Sequence, residues 1–95
     1  MKADIEKKIG TRVAAAFDDI VTQTTDRARS EILRLAEELV KAVWHGKIYA
    51  ALPPDKTKAS EYFLDEELEQ FLNEAIEESY RKVESIAGAV KAAFS

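Results

Sequence analysis

The sequence predicts an all-α fold, a helical hairpin that associates into a four-helix-type bundle. Glycine and proline, which punctuate turns, occur only three times and twice in 95 residues. Apolar residues recur at three- and four-residue steps through most of the chain, which is the spacing of one helix face. A hydrophobic fraction of 46% and a charged fraction of 34% are typical of a folded chain. Its length fits one domain, residues 1–95.

The last third of the chain carries the strongest helical pattern. Its apolar positions are Leu64, Leu68, Phe71, Leu72, Ala75, Ile76, Tyr80, Val83, Ile86, Ala87, Val90 and Phe94. This spacing predicts one helix over residues 60–94, with Ser60 as a candidate cap at its start. We expect its buried seam, which is also a candidate interaction surface, to be formed by Leu68, Leu72, Ile76, Val83, Ile86 and Val90.

The first half contains two apolar stripes that point in different directions. The first consists of Ile5, Ile9, Val13, Phe17, Ile20 and Val21, and the second of Ile32, Leu35, Ala36, Leu39, Val40 and Val43. Residues 22–26 between them are rich in β-branched and capping side chains. Either one long helix bends there, or helices over about residues 3–22 and 27–52 are separated by a break near residues 22–30.

A loop over residues 53–59 is predicted by Pro53-Pro54, because proline cannot continue a helix. The helices on either side then form a hairpin, but their apolar stripes are wider than a single seam can cover. A second copy of the chain would cover the remainder in a four-helix bundle. The competing solution is that residues 5–21 fold back as a third helix.

Catalytic chemistry is not indicated by the residue types present. The chain has a single histidine, His45, and no cysteine, and none of its serines lies in a G-x-S-x-G elbow. Paired Glu-x-x-His motifs and glycine-rich phosphate loops are absent from the sequence. We therefore expect a non-enzymatic protein with no catalytic residues, cofactor or metal site.

Charge is unevenly distributed along the chain. Residues 1–58 carry 11 basic and 9 acidic residues, whereas residues 59–95 carry 3 and 9. An acidic second half disfavours nucleic-acid binding, which needs a basic face. Small basic groups at Lys7, Lys8 and Arg12, and at Arg27, Arg29 and Arg34, leave a small DNA-associated regulatory protein as one alternative.

An aromatic-rich segment precedes the predicted loop and contains Trp44, Ile48 and Tyr49. These residues either close the end of the bundle beside Tyr62 and Phe63 or form a partner-binding end, since Trp and Tyr dominate binding hot spots. The pattern as a whole predicts a helical protein–protein interaction module, an adaptor, inhibitor or assembly subunit. Its expected partner is itself, as a homodimer or small oligomer, or another protein.

The tripeptide Trp44-His45-Gly46, together with Tyr80-Arg81-Lys82-Val83-Glu84, resembles the WXG family of small secreted helical-hairpin proteins. The resemblance covers essentially the whole chain. It implies export by type VII secretion, a four-helix dimer, W-x-G at the hairpin turn and a role for Y-x-x-x-[DE] in export. The sequence departs from the family in having Lys47-Ile48-Tyr49 after the tripeptide and its evident turn at Pro53-Pro54.

The first residues and the uncharged stretches of the chain predict where in the cell it is located. The first eight residues alternate charged and apolar side chains, so we expect no cleavable signal peptide. Uncharged stretches are too short to span a membrane. A cytoplasmic protein is expected, and the WXG resemblance implies secretion without a cleaved signal as the alternative.

Overall fold

Two long antiparallel helices form the frame of the molecule. The computed structural model describes residues 2–56 and 58–94, with the side chains at 2–4, 6, 59 and 60 left out of the description. Its helices are α1 (Lys2–Ala16), α2 (Asp18–Val21), α3 (Asp26–Ala51), α4 (Ala59–Tyr62) and α5 (Asp65–Phe94), and no strand occurs among the described residues. The hairpin of α3 and α5 confirms the predicted all-α class.

The N-terminal helix α1 packs against both arms of this hairpin. Its apolar stripe of Ile5, Ile9, Val13 and Phe17 is buried, with exposures of 4% or less. Arg12 donates a hydrogen bond to Asn73, and the rings of Phe17 and Tyr80 lie 5.6 Å apart. Successive α1 residues thus meet successive α5 residues, so the two helices run parallel. The chain covers its wide stripes by folding back a third helix, the second of the two solutions that the sequence allowed.

Buried positions on α3 follow one another at intervals of four residues. They are Ala28, Ile32, Ala36, Val40, Trp44 and Ile48. Because each four-residue step advances the direction by about 40° around a helix, this row winds around α3 instead of running straight along it. The corresponding row on α5 is Leu68, Leu72, Ala75, Ser79, Val83 and Ala87. The Ser79 hydroxyl is buried there without a hydrogen-bond partner, a local cost of about 1–3 kcal/mol.

The predicted break in the first half is a turn between Val21 and Asp26. The Thr24 amide donates to the Val21 carbonyl at 3.2 Å, and Thr25 caps α3 by accepting a hydrogen bond from the Ala28 amide at 3.2 Å. The break therefore falls within the predicted interval. A second interruption at Phe17, between α1 and α2, has no counterpart in the sequence pattern.

The start of the last helix differs from the prediction. A single helix from Ser60 was expected, but α4 ends at Tyr62 and α5 begins at Asp65. Phe63 lies between these two helices, and its ring packs edge-on against Phe71 at 5.3 Å. The side chain of Ser60, the predicted cap, and residue 57 of the predicted loop lie outside the described part of the structure. As predicted, α3 ends just before Pro53-Pro54.

The backbone conformation of Gln23 predicts that replacing this residue with glycine would stabilise the protein. It has φ of 69° and follows Thr22 at φ −59° and ψ 135°, which is the pattern of a type II turn. That position favours glycine, so Gln23→Gly should raise the free energy of unfolding by about 0.5–1 kcal/mol in urea denaturation. The same change at exposed Gln70 inside α5 should lower it by about 1 kcal/mol. Equal losses in both variants would contradict the turn geometry.

Candidate interaction surfaces

The predicted interaction residues fall into three groups by exposure. Trp44, Ile48, Leu68, Leu72 and Val83 are buried and contribute to the core of the chain itself. Ile76, Ile86 and Val90 are half-buried, and Tyr49 is 53% exposed. The surface that this set offers to another molecule therefore comes from Tyr49, Ile76, Ile86 and Val90.

Trp44 is an internal link between the two long helices. Its side chain is fully buried, and its indole Nε1 donates a hydrogen bond to the Leu68 carbonyl at 2.9 Å. The neighbouring His45 ring lies 5.3 Å from the indole and stacks on Tyr49 at 6.5 Å. Of the alternatives for this segment, Trp44 fits the core interpretation, while Tyr49 remains accessible.

One side of the hairpin carries apolar residues that α1 does not cover. Leu35, Leu39 and Val43 are half-buried and follow one another at four-residue steps on α3, and Ile86 and Val90 do so on α5. We call these five residues the open face.

Two contacts fix the direction of the open face. Glu37 lies beside Gly10 of α1, and Leu35 and Leu39 are each two residues, about 200°, away from it around α3. On the opposite edge, Lys47 forms an ion pair with Glu78 at 2.8 Å. Lys47 continues the α3 row of Leu35, Leu39 and Val43, and Glu78, eight residues before Ile86, belongs to the α5 row of Ile86 and Val90. The ion pair therefore shows that the α3 row and the α5 row adjoin on the side of the hairpin away from α1.

The end of the molecule at the hairpin turn exposes large apolar side chains. Tyr49 is 53% exposed, Tyr62 46% and Leu64 65%. We call these three residues the turn-end patch. Sequence periodicity placed Leu64 on the apolar face of a single helix over residues 60–94, whereas Leu64 precedes α5, which begins at Asp65. The available signal was only half of a capping box, Glu67 three residues after Leu64.

A shallow groove of about 610 Å³ lies between α1 and α5. Its walls consist of Arg12, Ala15, Ala16, Gln70, Asn73, Ile76 and Glu77. Among the described residues, no group of His, Asp and Glu side chains is arranged to hold a metal ion.

The basic residues predicted as possible nucleic-acid contacts are partly engaged by acids of the same chain. Arg12 lies 3.9 Å from Glu69, and Arg29 lies 3.8 Å from Asp18. Arg34 pairs with Glu31 at 2.6 Å and also with Glu38, and its hydrogen bonds lower the pKa of Glu31. These pairs reduce the positive charge that the two small basic groups present to a phosphate backbone.

Residues that carry the WXG resemblance lie inside helices. Trp44-His45-Gly46 belongs to α3, which continues to Ala51, and the hairpin turn follows after that. The Tyr80 hydroxyl donates a hydrogen bond to Asp19, which raises the Tyr80 pKa to about 12. Membership of the family stays a prediction.

In comparisons with known proteins, no family model, no curated protein and no solved structure matches the chain. None of the described helices is long and apolar enough to cross a membrane. The class that the structure defines is thus an all-α helical hairpin with a third helix packed on it.

Proposed function

We propose that this chain is a non-enzymatic helical interaction module, an adaptor, inhibitor or assembly subunit that works in the cytoplasm. The observation that supports the proposal is the open face, where five aliphatic side chains adjoin on one side of the hairpin and keep part of their surface in water. Burying such surface is favourable by about 25 cal/mol per Å². A second copy of the chain could cover it, which would give a homodimer or small oligomer.

The third helix determines what kind of oligomer is expected. Because α1 covers the core within a single copy, we expect each copy to fold without its partner. Association through the open face should then be reversible, with folded monomers at low concentration and dimers at high concentration. An obligate dimer, in contrast, would lose its helices on dilution.

The test is the mass in solution, measured by light scattering behind a sizing column over about a hundredfold range of concentration. The mass of the unaltered chain should rise with concentration. The double variant Leu35→Gln, Ile86→Gln should remain monomeric, because glutamine keeps the helix propensity but removes apolar surface. Both changed positions are half-buried, and circular dichroism would verify that the variant is folded.

A matched control is Ala15→Gln, on the exposed surface of α1. This variant should associate like the unaltered chain. A folded monomer at every concentration, or equal association of the double variant and the unaltered chain, would overturn self-association through the open face.

A further inference from the structure

Leu64 occupies a backbone position that does not suit leucine. Its carbonyl accepts the first hydrogen bond of α5, from the Leu68 amide at 3.1 Å, so Leu64 is the N-cap residue. Glu67, three residues later, accepts a hydrogen bond from the Leu64 amide at 3.0 Å. This is one half of a capping box, whose other half needs a serine or threonine side chain at the cap. Leucine cannot supply it.

The Leu64 side chain gains little from burial in exchange, since it is 65% exposed. A residue that breaks a local rule with no structural gain points to a role outside the fold. Tyr49 and Tyr62, at the same end of the molecule, are also exposed. Among the described residues, the remaining exposed large hydrophobic residue is Phe94, which lies under the Arg27 guanidinium at 5.5 Å and at the opposite end. The accessible apolar side chains of the turn-end patch thus share the end of the molecule where α3 ends and α5 begins.

Charge around the turn-end patch indicates the kind of partner. Glu61, Glu66 and Glu67 are exposed close to Tyr62 and Leu64 along the chain. Lys56 and Lys58 are the neighbouring cations, and each lies within 4 Å of a carboxylate, at 3.9 Å from Asp55 and 3.7 Å from Glu61. Residues 55–67 thus carry five acidic side chains against these two lysines, so the rim formed by this segment is acidic. Two copies meeting through this patch would bring acidic rims together, whereas a basic partner would complement them.

We propose that the turn-end patch binds a basic amphipathic helix of another protein. Aliphatic side chains of that helix would pack on Tyr49, Tyr62 and Leu64, and its lysines or arginines would face the acidic rim. This inference rests on the chain being an interaction module, but it does not require self-association through the open face.

The probe is a synthetic amphipathic helix built from leucine and lysine. Two comparison peptides accompany it: one with the same composition in scrambled order, and one in which glutamate replaces lysine. Binding is measured by titration calorimetry at physiological salt. We expect the amphipathic leucine–lysine peptide to bind at least about tenfold more tightly than either comparison peptide.

The decisive variant is Leu64→Ser, because its effects on stability and binding have opposite signs. Serine completes the capping box, so the midpoint of thermal unfolding should rise by about 4–8 °C. Binding of the leucine–lysine peptide should weaken by about tenfold, since a hydrophobic anchor is lost. A gain in stability with lost binding cannot be caused by unfolding.

The double variant Leu35→Gln, Ile86→Gln separates the two proposals, and it should bind the peptide like the unaltered chain. Unchanged peptide affinity in Leu64→Ser, or equal affinity for the scrambled peptide, would overturn the docking proposal and leave the open face untouched. A loss of self-association in Leu64→Ser would overturn it as well, because it would make a second copy the occupant of the patch. A lower thermal midpoint would overturn the assignment of Leu64 as the N-cap.

Discussion

Replacing Trp44 with alanine is expected to lower the free energy of unfolding by about 3–5 kcal/mol. Trp44 is the largest fully buried side chain among the described residues, and it lies where α3 meets α5. Alanine would leave a cavity and would also leave the Leu68 carbonyl without its indole donor. A domain of this size has a total stability of about 5–14 kcal/mol. The variant should therefore be partly unfolded at physiological temperature if the chain lies at the lower end of that range.

Urea denaturation followed by circular dichroism measures this loss, and two variants calibrate it. Trp44→Phe keeps an aromatic ring but loses the hydrogen bond, so we expect a smaller loss, about 1–3 kcal/mol. Tyr49→Ala, at a position that is 53% exposed, should change the stability by less than about 1 kcal/mol. If Trp44→Ala were as mild as Tyr49→Ala, Trp44 would belong to the surface and would again be a candidate partner contact.

Local signals in the sequence were sufficient to place the hairpin loop and to locate the interruption in the first half, but they did not decide between a bend and a break. Pro53-Pro54 ends α3 because proline has no amide hydrogen, and Thr25 provides a side-chain cap for the α3 N-terminus. The start of α5 was misplaced because Leu64 continues the helical spacing although it lies outside the helix. Apolar spacing reports which residues would share a face, and it does not report where the backbone turns.

The packing of α1 could not be decided from the sequence. Ile9 and Val13 present the same kind of apolar stripe whether it is covered by the same chain or by a second copy. What decides between them is the length and geometry of the connection at residues 22–25, including the positive φ of Gln23. Because Gln rarely adopts that conformation, the sequence located an interruption there without indicating whether it was a bend or a tight turn.

The candidate surfaces were identified only in part for a related reason. Ala36 and Val40 are fully buried, whereas Leu35 and Leu39, one residue earlier in each case, are half-buried. Periodicity assigned all four to one stripe, since they lie within about 140° of one another around the helix. The position of α1 divides this stripe into a core row and the open face.

Replacing Phe17 with alanine should have the second large effect, a loss of about 3–5 kcal/mol in the free energy of unfolding. Phe17 is fully buried between α1 and α2, and its ring packs against that of Tyr80. Much of the attachment of α1 and α2 to the hairpin depends on this side chain. Phe94→Ala provides the matched control, because Phe94 is 38% exposed and should cost about 1 kcal/mol or less.

The Phe17→Ala variant also tests whether α1 shields the apolar residues of the hairpin from association with other copies. If α1 separates, the buried stripes of α3 and α5 become accessible, and the hairpin should then self-associate at lower concentration than the unaltered chain. Hydrogen exchange would show faster exchange at α1 amides than at α5 amides, and light scattering would show the increased mass. Unchanged stability together with slow exchange in α1 would mean that Phe17 does not hold this helix. A loss of stability with no gain in association would mean that α1 and the hairpin unfold as one cooperative unit.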